Sequence, residues 1–127
     1  MSPTRRSLER GSAQIDLWAG VGNVVRFSGS LREVDAGSWL QPLFEEIHHD
    51  AVRTRLERVV VDIRRLEYAN AALWKCMVLW LKRLRTDRDA PYTIHLLADG
   101  KHRWQQVGVP TLRVFGADCL TIDGFDT

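Results

Sequence analysis

Residues 58–85, RVVVDIRRLEYANAALWKCMVLWLKRLR, constrain the fold more than any other stretch of the chain. The segment opens on three consecutive β-branched residues, Val59, Val60 and Val61, and the apolar run stops near Asp62. A run of this length and type reads as a strand over 59–63, and its unbroken apolar character points to a central strand covered on both faces. After a polar junction, Leu73, Cys76, Met77, Trp80 and Leu84 recur at helical spacing, so a helix is expected over 71–88. Lys82, Arg83 and Arg85 close it where cations complement the helix dipole. In open α/β sheets ligands and partners meet the loops at the carboxyl ends of the strands. The junction Glu67-Tyr68-Ala69-Asn70-Ala71-Ala72 is therefore the expected functional region, with Asn70 as the helix N-cap.

The flanking sequence supplies the rest of one domain. Residues 1–12 are polar and arginine-rich and are expected to be a disordered tail, with the domain running over 13–127. Strands are expected at 14–19 and 24–28, joined by Gly20-Val21-Gly22-Asn23 as an antiparallel hairpin. Trp39, Leu40, Leu43, Phe44 and Ile47 give a helix over 35–52 with Asp35 as N-cap, and Pro42 falls inside this pattern. A strand at 93–97 follows Pro91, a short helix at 101–107 ends near Gly108 and Pro110, and a last strand spans 119–122. Strands alternating with helices after an opening hairpin argue for an α/β layer with parallel neighbours.

Composition excludes several classes. A chain of 127 residues with a formal charge of +2 is one domain without the cationic excess that nucleic-acid binding needs. Its two cysteines, Cys76 and Cys119, form no CxxC pair, which points to a reducing compartment rather than to disulfides or zinc. No apolar run approaches the roughly 18 residues of a membrane span, and the N-terminus lacks the apolar core of a secretory signal. A cytoplasmic protein without membrane insertion is expected.

No catalytic or metal-binding constellation stands out. His48 and His49 are adjacent, so on a helix they point about 100° apart and cannot readily share a metal. Ser28, Ser30 and Ser38 lack a nucleophile elbow, Gly20-Val21-Gly22 is a fragment of a phosphate loop, and Asp62 has no evident basic or nucleophilic partner. An enzyme is not expected, nor is a cofactor. Arg53, Arg55 and Arg58, with Lys82, Arg83, Arg85 and Arg88, lie at the domain end opposite Asn70. Glu57, Asp87 and Asp89 are interspersed, so this end reads as a solvated face rather than an anion-binding patch.

The long helix carries a second apolar stripe, Trp74, Val78 and Leu81, beside the first. Either neighbouring helices bury both stripes, or Trp74 is exposed near the junction and anchors a partner, as tryptophan does at interface hot spots. Trp39 and Trp104 would extend such a surface. Trp18 reads as packing and Trp80 as core.

Three stretches, in this order and spacing, resemble a STAS domain, the fold of bacterial anti-sigma factor antagonists and of the cytoplasmic tails of sulfate transporters. Val24-Val25-Arg26-Phe27-Ser28-Gly29-Ser30-Leu31 is similar to the family's second strand, and Val60-Val61-Asp62-Ile63-Arg64-Arg65-Leu66-Glu67-Tyr68 to its central strand and the following turn. Trp104-Gln105-Gln106-Val107-Gly108-Val109 is similar to its third helix and a Gly-containing turn. The resemblance implies a mixed, mostly parallel sheet with an N-terminal hairpin and helices on one face. It implies a bacterial signalling module that binds a protein partner through Asn70, Ala71, Ala72, Leu73 and Trp74, with Trp39 beside them. The partner would be a serine kinase of the anti-sigma type, a receptor complex or another STAS-like chain, including a homodimer.

Two departures matter. Switchable members carry Asp-Ser-Ser-Gly or Asp-Ser-Thr-Gly where this chain has Asn70, Ala71, Ala72 and Leu73. Alanine has no hydroxyl to accept a phosphoryl group, so the surface is expected without the switch. The family's final helix has no counterpart in residues 123–127, so apolar surface is expected to be open, or covered by the N-terminal segment or a second copy. Two other readings stay open: a sensor that binds an anion or nucleotide at the same helix start, and a self-assembling scaffold subunit.

Overall fold

The computed structural model describes residues 4–19, 23–87 and 92–124. The expected turn at 20–22, Arg88, Asp89, Pro91 and residues 1–3 and 125–127 lie outside the described residues. The elements are β1 (Thr4–Arg10), β2 (Ala13–Ala19), β3 (Asn23–Leu31), α1 (Gly37–Arg53), β4 (Arg58–Ala69), α2 (Ala71–Thr86), β5 (Thr93–Leu97), α3 (Arg103–Gly116) and β6 (Leu120–Asp123). They form one six-stranded sheet in the order β1-β2-β3-β4-β5-β6. The pairs β1–β2 and β2–β3 are antiparallel, and the other three are parallel. Each crossover steps to the next strand in the same direction, and right-handed crossovers that do so stack their helices on one face. The three helices meet the sheet through Val25, Phe27, Val61, Ile63, Ile94 and Leu96, all fully buried or nearly so.

The arginine-rich start of the chain departs from the expected tail. Over 4–10 it is β1, paired along its length with β2 from Thr4↔Ala19 to Arg10↔Ala13. Leu8 opposes Ile15, and Arg6 reaches α1 through a two-pronged ion pair to Glu46 (2.8 and 3.0 Å). Charged residues are what an edge strand uses to discourage pairing with other chains, so a composition that argues for disorder also suits an edge.

Strand β4 is longer than its valine run. Its polar second half pairs with β3 at Ser28↔Arg65, Gly29↔Leu66, Ser30↔Tyr68 and Leu31↔Ala69, across two register shifts. Gly29 sits at one of them with φ +82°, and a Cβ there would overlap the Ser12 carbonyl, which accepts from the Ser30 amide at 3.1 Å. Gly29→Ala is therefore expected to lower stability by about 2–4 kcal/mol, combining left-handed strain with a backbone clash. A urea midpoint unchanged from wild type would show that the bulge relaxes freely.

Covering of β4 on both faces is also corrected. Helices cover one face only; on the other, Asp62 is 1% exposed because guanidinium groups lie over it. Arg64 grips it with Nε (3.0 Å), Nη2 (3.0 Å) and its backbone amide (3.1 Å), and Arg26 Nε adds a bond at 3.2 Å. Burial opposes ionisation of this carboxyl, but the bonds from Arg64 and Arg26 together outweigh it and hold the pKa below the ordinary value. Arg26 and Arg5 also flank Trp18, at 5.0 and 5.5 Å from its ring.

Helix ends differ from expectation in two places. α1 begins after Ala36, not with Asp35 as a side-chain cap; the Asp35 carbonyl accepts from both the amide and the hydroxyl of Ser38 (2.9 and 2.7 Å). α3 runs through Gly108 and Pro110 to Gly116, so no turn follows Val107. Burial of Gly108, Val109 and Leu112 against α2 and the sheet outweighs the amide that Pro110 lacks.

Candidate functional site

The site grows from Asn70, at the carboxyl end of β4. Its φ and ψ are extended, and its side-chain oxygen accepts from the Ala72 amide at 3.0 Å, as an N-cap does. Its side-chain nitrogen donates to the Glu33 carbonyl at 2.8 Å, and its own amide donates to the Leu31 carbonyl at 3.0 Å. One side chain thus starts α2 and ties the β3–α1 loop to the β4–α2 junction. The Leu73 amide is also engaged, by the Asn70 carbonyl at 3.3 Å, so two of the first α2 amides are already bonded.

Between the N-terminal halves of α1 and α2 lies an open groove of about 500 Å³. Asn70, Ala71 and Ala72 line it from α2, together with Lys75, Cys76 and Leu79; Val34, Gly37 and Gln41 line it from the opposite side. Its walls are low because Gly37, Ala71 and Ala72 are small. Val34 at 98% exposure and Leu79 at 49% are large apolar side chains left in water beside it. Lys75 has no ion pair and Gln41 no side-chain hydrogen bond among the described residues, so the groove offers a cation and an amide with apolar contacts.

The other expected site residues lie elsewhere. Leu73 is fully buried under α2. Trp74 is half-buried and turns to α3, where it meets Trp104 at 5.4 Å between ring centroids, and where a Cβ on Gly108 would overlap its indole. Trp104 in turn donates to the Leu66 carbonyl at 3.2 Å. Trp39 lies on the far side of α1 with the Arg10 guanidinium 5.9 Å from its ring. The flanking helices therefore take up much of both α2 stripes, including Leu81, which is fully buried. Val34, Lys75 and Leu79 were missed from the sequence. Leu79 falls outside both apolar stripes, and that off-stripe position is the one signal that could have found it.

At the opposite end, His48 is buried within a chain of hydrogen bonds. Its Nδ1 lies 2.6 Å from the Tyr92 hydroxyl and its Nε2 3.1 Å from Asp87, while Trp80 Nε1 donates to the same hydroxyl at 2.7 Å. One arrangement satisfies all three contacts: Trp80 donates to Tyr92, Tyr92 donates to His48, and His48 donates to Asp87. This chain clamps α1, α2 and the start of β5. Four of the basic residues at this end are partnered: Arg53 with Asp50, Arg83 with Glu45, Arg85 with the Phe115 carbonyl and Lys82 with the Phe115 ring. No group of three or more His, Cys, Asp or Glu forms a metal site among the described residues, and no described helix is long and apolar enough to cross a membrane. Both cysteines are free thiols.

A mixed, mostly parallel six-stranded sheet opened by an antiparallel hairpin and backed by helices on one face is the layout that the resemblance to STAS domains implied. Comparison with solved structures agrees: the chain is similar to an anti-sigma factor antagonist from Mycobacterium paratuberculosis. The TM-score is 0.53 at 16% identity, covering 94% of this chain and 85% of that one. No protein-family model and no curated protein matches the sequence. The chain has the STAS-like fold of the anti-sigma factor antagonists.

Proposed function

We propose that this chain is a non-catalytic regulatory module that docks a protein partner in the α1–α2 groove, in the cytoplasm of a bacterium. The observation that carries the reading is the exposed Leu79 and Val34 beside a small-residue groove, at the rim where the Asn70 cap fixes both loops. An anti-sigma-type serine kinase, a receptor complex or another STAS-like chain would fit, a second copy of this one included. With Ala71 and Ala72 at the helix start, docking is governed by partner concentration rather than by phosphorylation there.

The test is capture from native cytosol by the tagged chain, read by mass spectrometry, beside Leu79→Asp and Ala72→Arg. Both substitutions lie at the groove, so each is expected to cut recovery of the specific partner at least tenfold without shifting the melting temperature by more than a few degrees. Equal recovery by wild type and both variants would place the interface elsewhere. Trp74→Ala is a poorer probe, because Trp74 also holds α3. Anion capture at the α2 start has less support, since the Ala72 and Leu73 amides are already bonded. Thermal stabilisation by a nucleotide would revive it, and a concentration-dependent mass in light scattering would favour self-assembly.

A further inference from the structure

Helix α3 buries one face and leaves the other in water. Gln105, Gly108, Val109 and Leu112 are buried, facing α2 and the sheet. Val34 and Leu79 flank the groove; the other large aliphatic side chains left exposed among the described residues are Val107 at 74% and Val114 at 76%. They stand seven residues apart on α3, with exposed Pro110 and Thr111 between them. At 3.6 residues per turn these side chains share an arc of about 100° on the side opposite the buried stripe. A lone exposed valine is ordinary, but two at heptad spacing make a seam on which a second helix packs.

Charges extend the seam at both ends. Arg103 begins α3, and Asp118 lies in the 3-10 turn that follows Gly116. Both are exposed, and neither side chain has an ion pair or hydrogen bond among the described residues. Each also stands at the wrong end for the dipole of α3, which favours anions at its start and cations at its end. A second copy of α3 laid antiparallel, with the two-fold axis between Pro110 and Thr111, reverses both defects. Val107 of each copy then faces Val114 of the other, and Arg103 of each faces Asp118 of the other, since each pair is equidistant from that axis. Each charge thereby sits beside the end of the second helix that complements it.

We propose that the outer face of α3 binds a second copy of this chain, as a two-fold dimer with the α3 helices antiparallel. The seam lies apart from the groove and stands whether or not a protein docks there. It is short, so the dimer is weak and reversible, as small interfaces are. Sedimentation equilibrium of the full chain, from micromolar to millimolar concentration, tests it. A monomer–dimer equilibrium is expected, weakened at least tenfold by Val114→Glu. Arg103→Asp and Asp118→Arg are each expected to weaken it at least threefold; both improve the match to the dipole of α3 itself, so neither loss is one of folding. Mixing these two variants is expected to restore wild-type affinity, because every facing pair is again opposite in sign. A strict monomer at millimolar concentration overturns the proposal, as does a dimer that a folded Val114→Glu chain retains. A mixture no tighter than its separate components overturns the antiparallel register. Association that Leu79→Asp removes would belong to the groove and overturns the assignment to α3.

Discussion

Replacing Arg26 and Arg64 together by methionine is expected to destabilise the chain by about 3–5 kcal/mol, the cost of leaving a buried carboxylate unpaired. Asp62 is 1% exposed on the helix-free face of the sheet, and the two guanidinium groups that lie over it supply both its counter-charge and most of its hydrogen bonds. The arginines are themselves half-exposed to partly exposed, so removing the carboxylate instead lets them return to water. Asp62→Asn should therefore cost less, and in the doubly substituted background it should recover part of the loss. The pH dependence should change sign. In the wild type the Asp62 pKa is lowered, so its contribution is complete above the ordinary carboxylate range and is lost as pH falls through the folded value. Without the arginines, burial alone acts and favours the neutral acid, so stability should rise as pH falls from neutrality. Urea unfolding between pH 3 and pH 7 reads both effects. A loss below 1 kcal/mol with an unchanged pH profile would mean that water reaches the carboxylate as readily as the arginines do.

Tyr92→Phe should cost about 2–4 kcal/mol and flatten the alkaline limb of the stability curve. The phenol oxygen accepts from Trp80 and bonds His48, so its loss strands a buried indole N–H and a ring nitrogen, each worth about 1–3 kcal/mol. Desolvation pushes the Tyr92 pKa up to about 12, with the Trp80 bond pulling the other way. A raised acid pKa means that the folded state keeps a proton the unfolded state releases. Stability from this group is complete below pH ~10 and falls away between there and about 12, by on the order of 2–3 kcal/mol. Burial also pushes the Cys76 thiol up, so the informative quantity is the difference between wild type and Tyr92→Phe, in which the thiol cancels. Parallel profiles for the two proteins above pH 10 would remove Tyr92 from the account.

What is legible in the sequence is what local pattern controls. The valine run of β4, the main stripe of α2 and the Asn70 cap depend on residues within a few positions of one another, and all three stand in the structure. The segments that differ are governed by distant partners. β1 is a strand because β2 and Glu46 receive it, although nothing within TRRSLER alone requires one. α3 continues past Gly108 because that glycine admits the Trp74 indole, a contact invisible along the chain. The same contact turns Trp74 away from the expected partner surface. The groove itself exists only where two helices meet, so Val34, Gly37 and Gln41 carry no local mark of it, while Ala71 and Ala72 are found from their place at the helix start.

The one-way march of strands across the sheet also bears on divergence. Every parallel strand delivers its carboxyl end to the same rim, and the loops after β3, β4 and β5 each hand over to a helix on the same side. Substitutions in those loops leave the strand registers beneath untouched, because the registers are set by the buried valines, isoleucines and leucines of the sheet. The rim loops and the sheet that sets the architecture thus occupy separable parts of the sequence. Two chains can therefore share this frame at 16% identity, because the strand registers ask only for buried apolar side chains and not for particular ones.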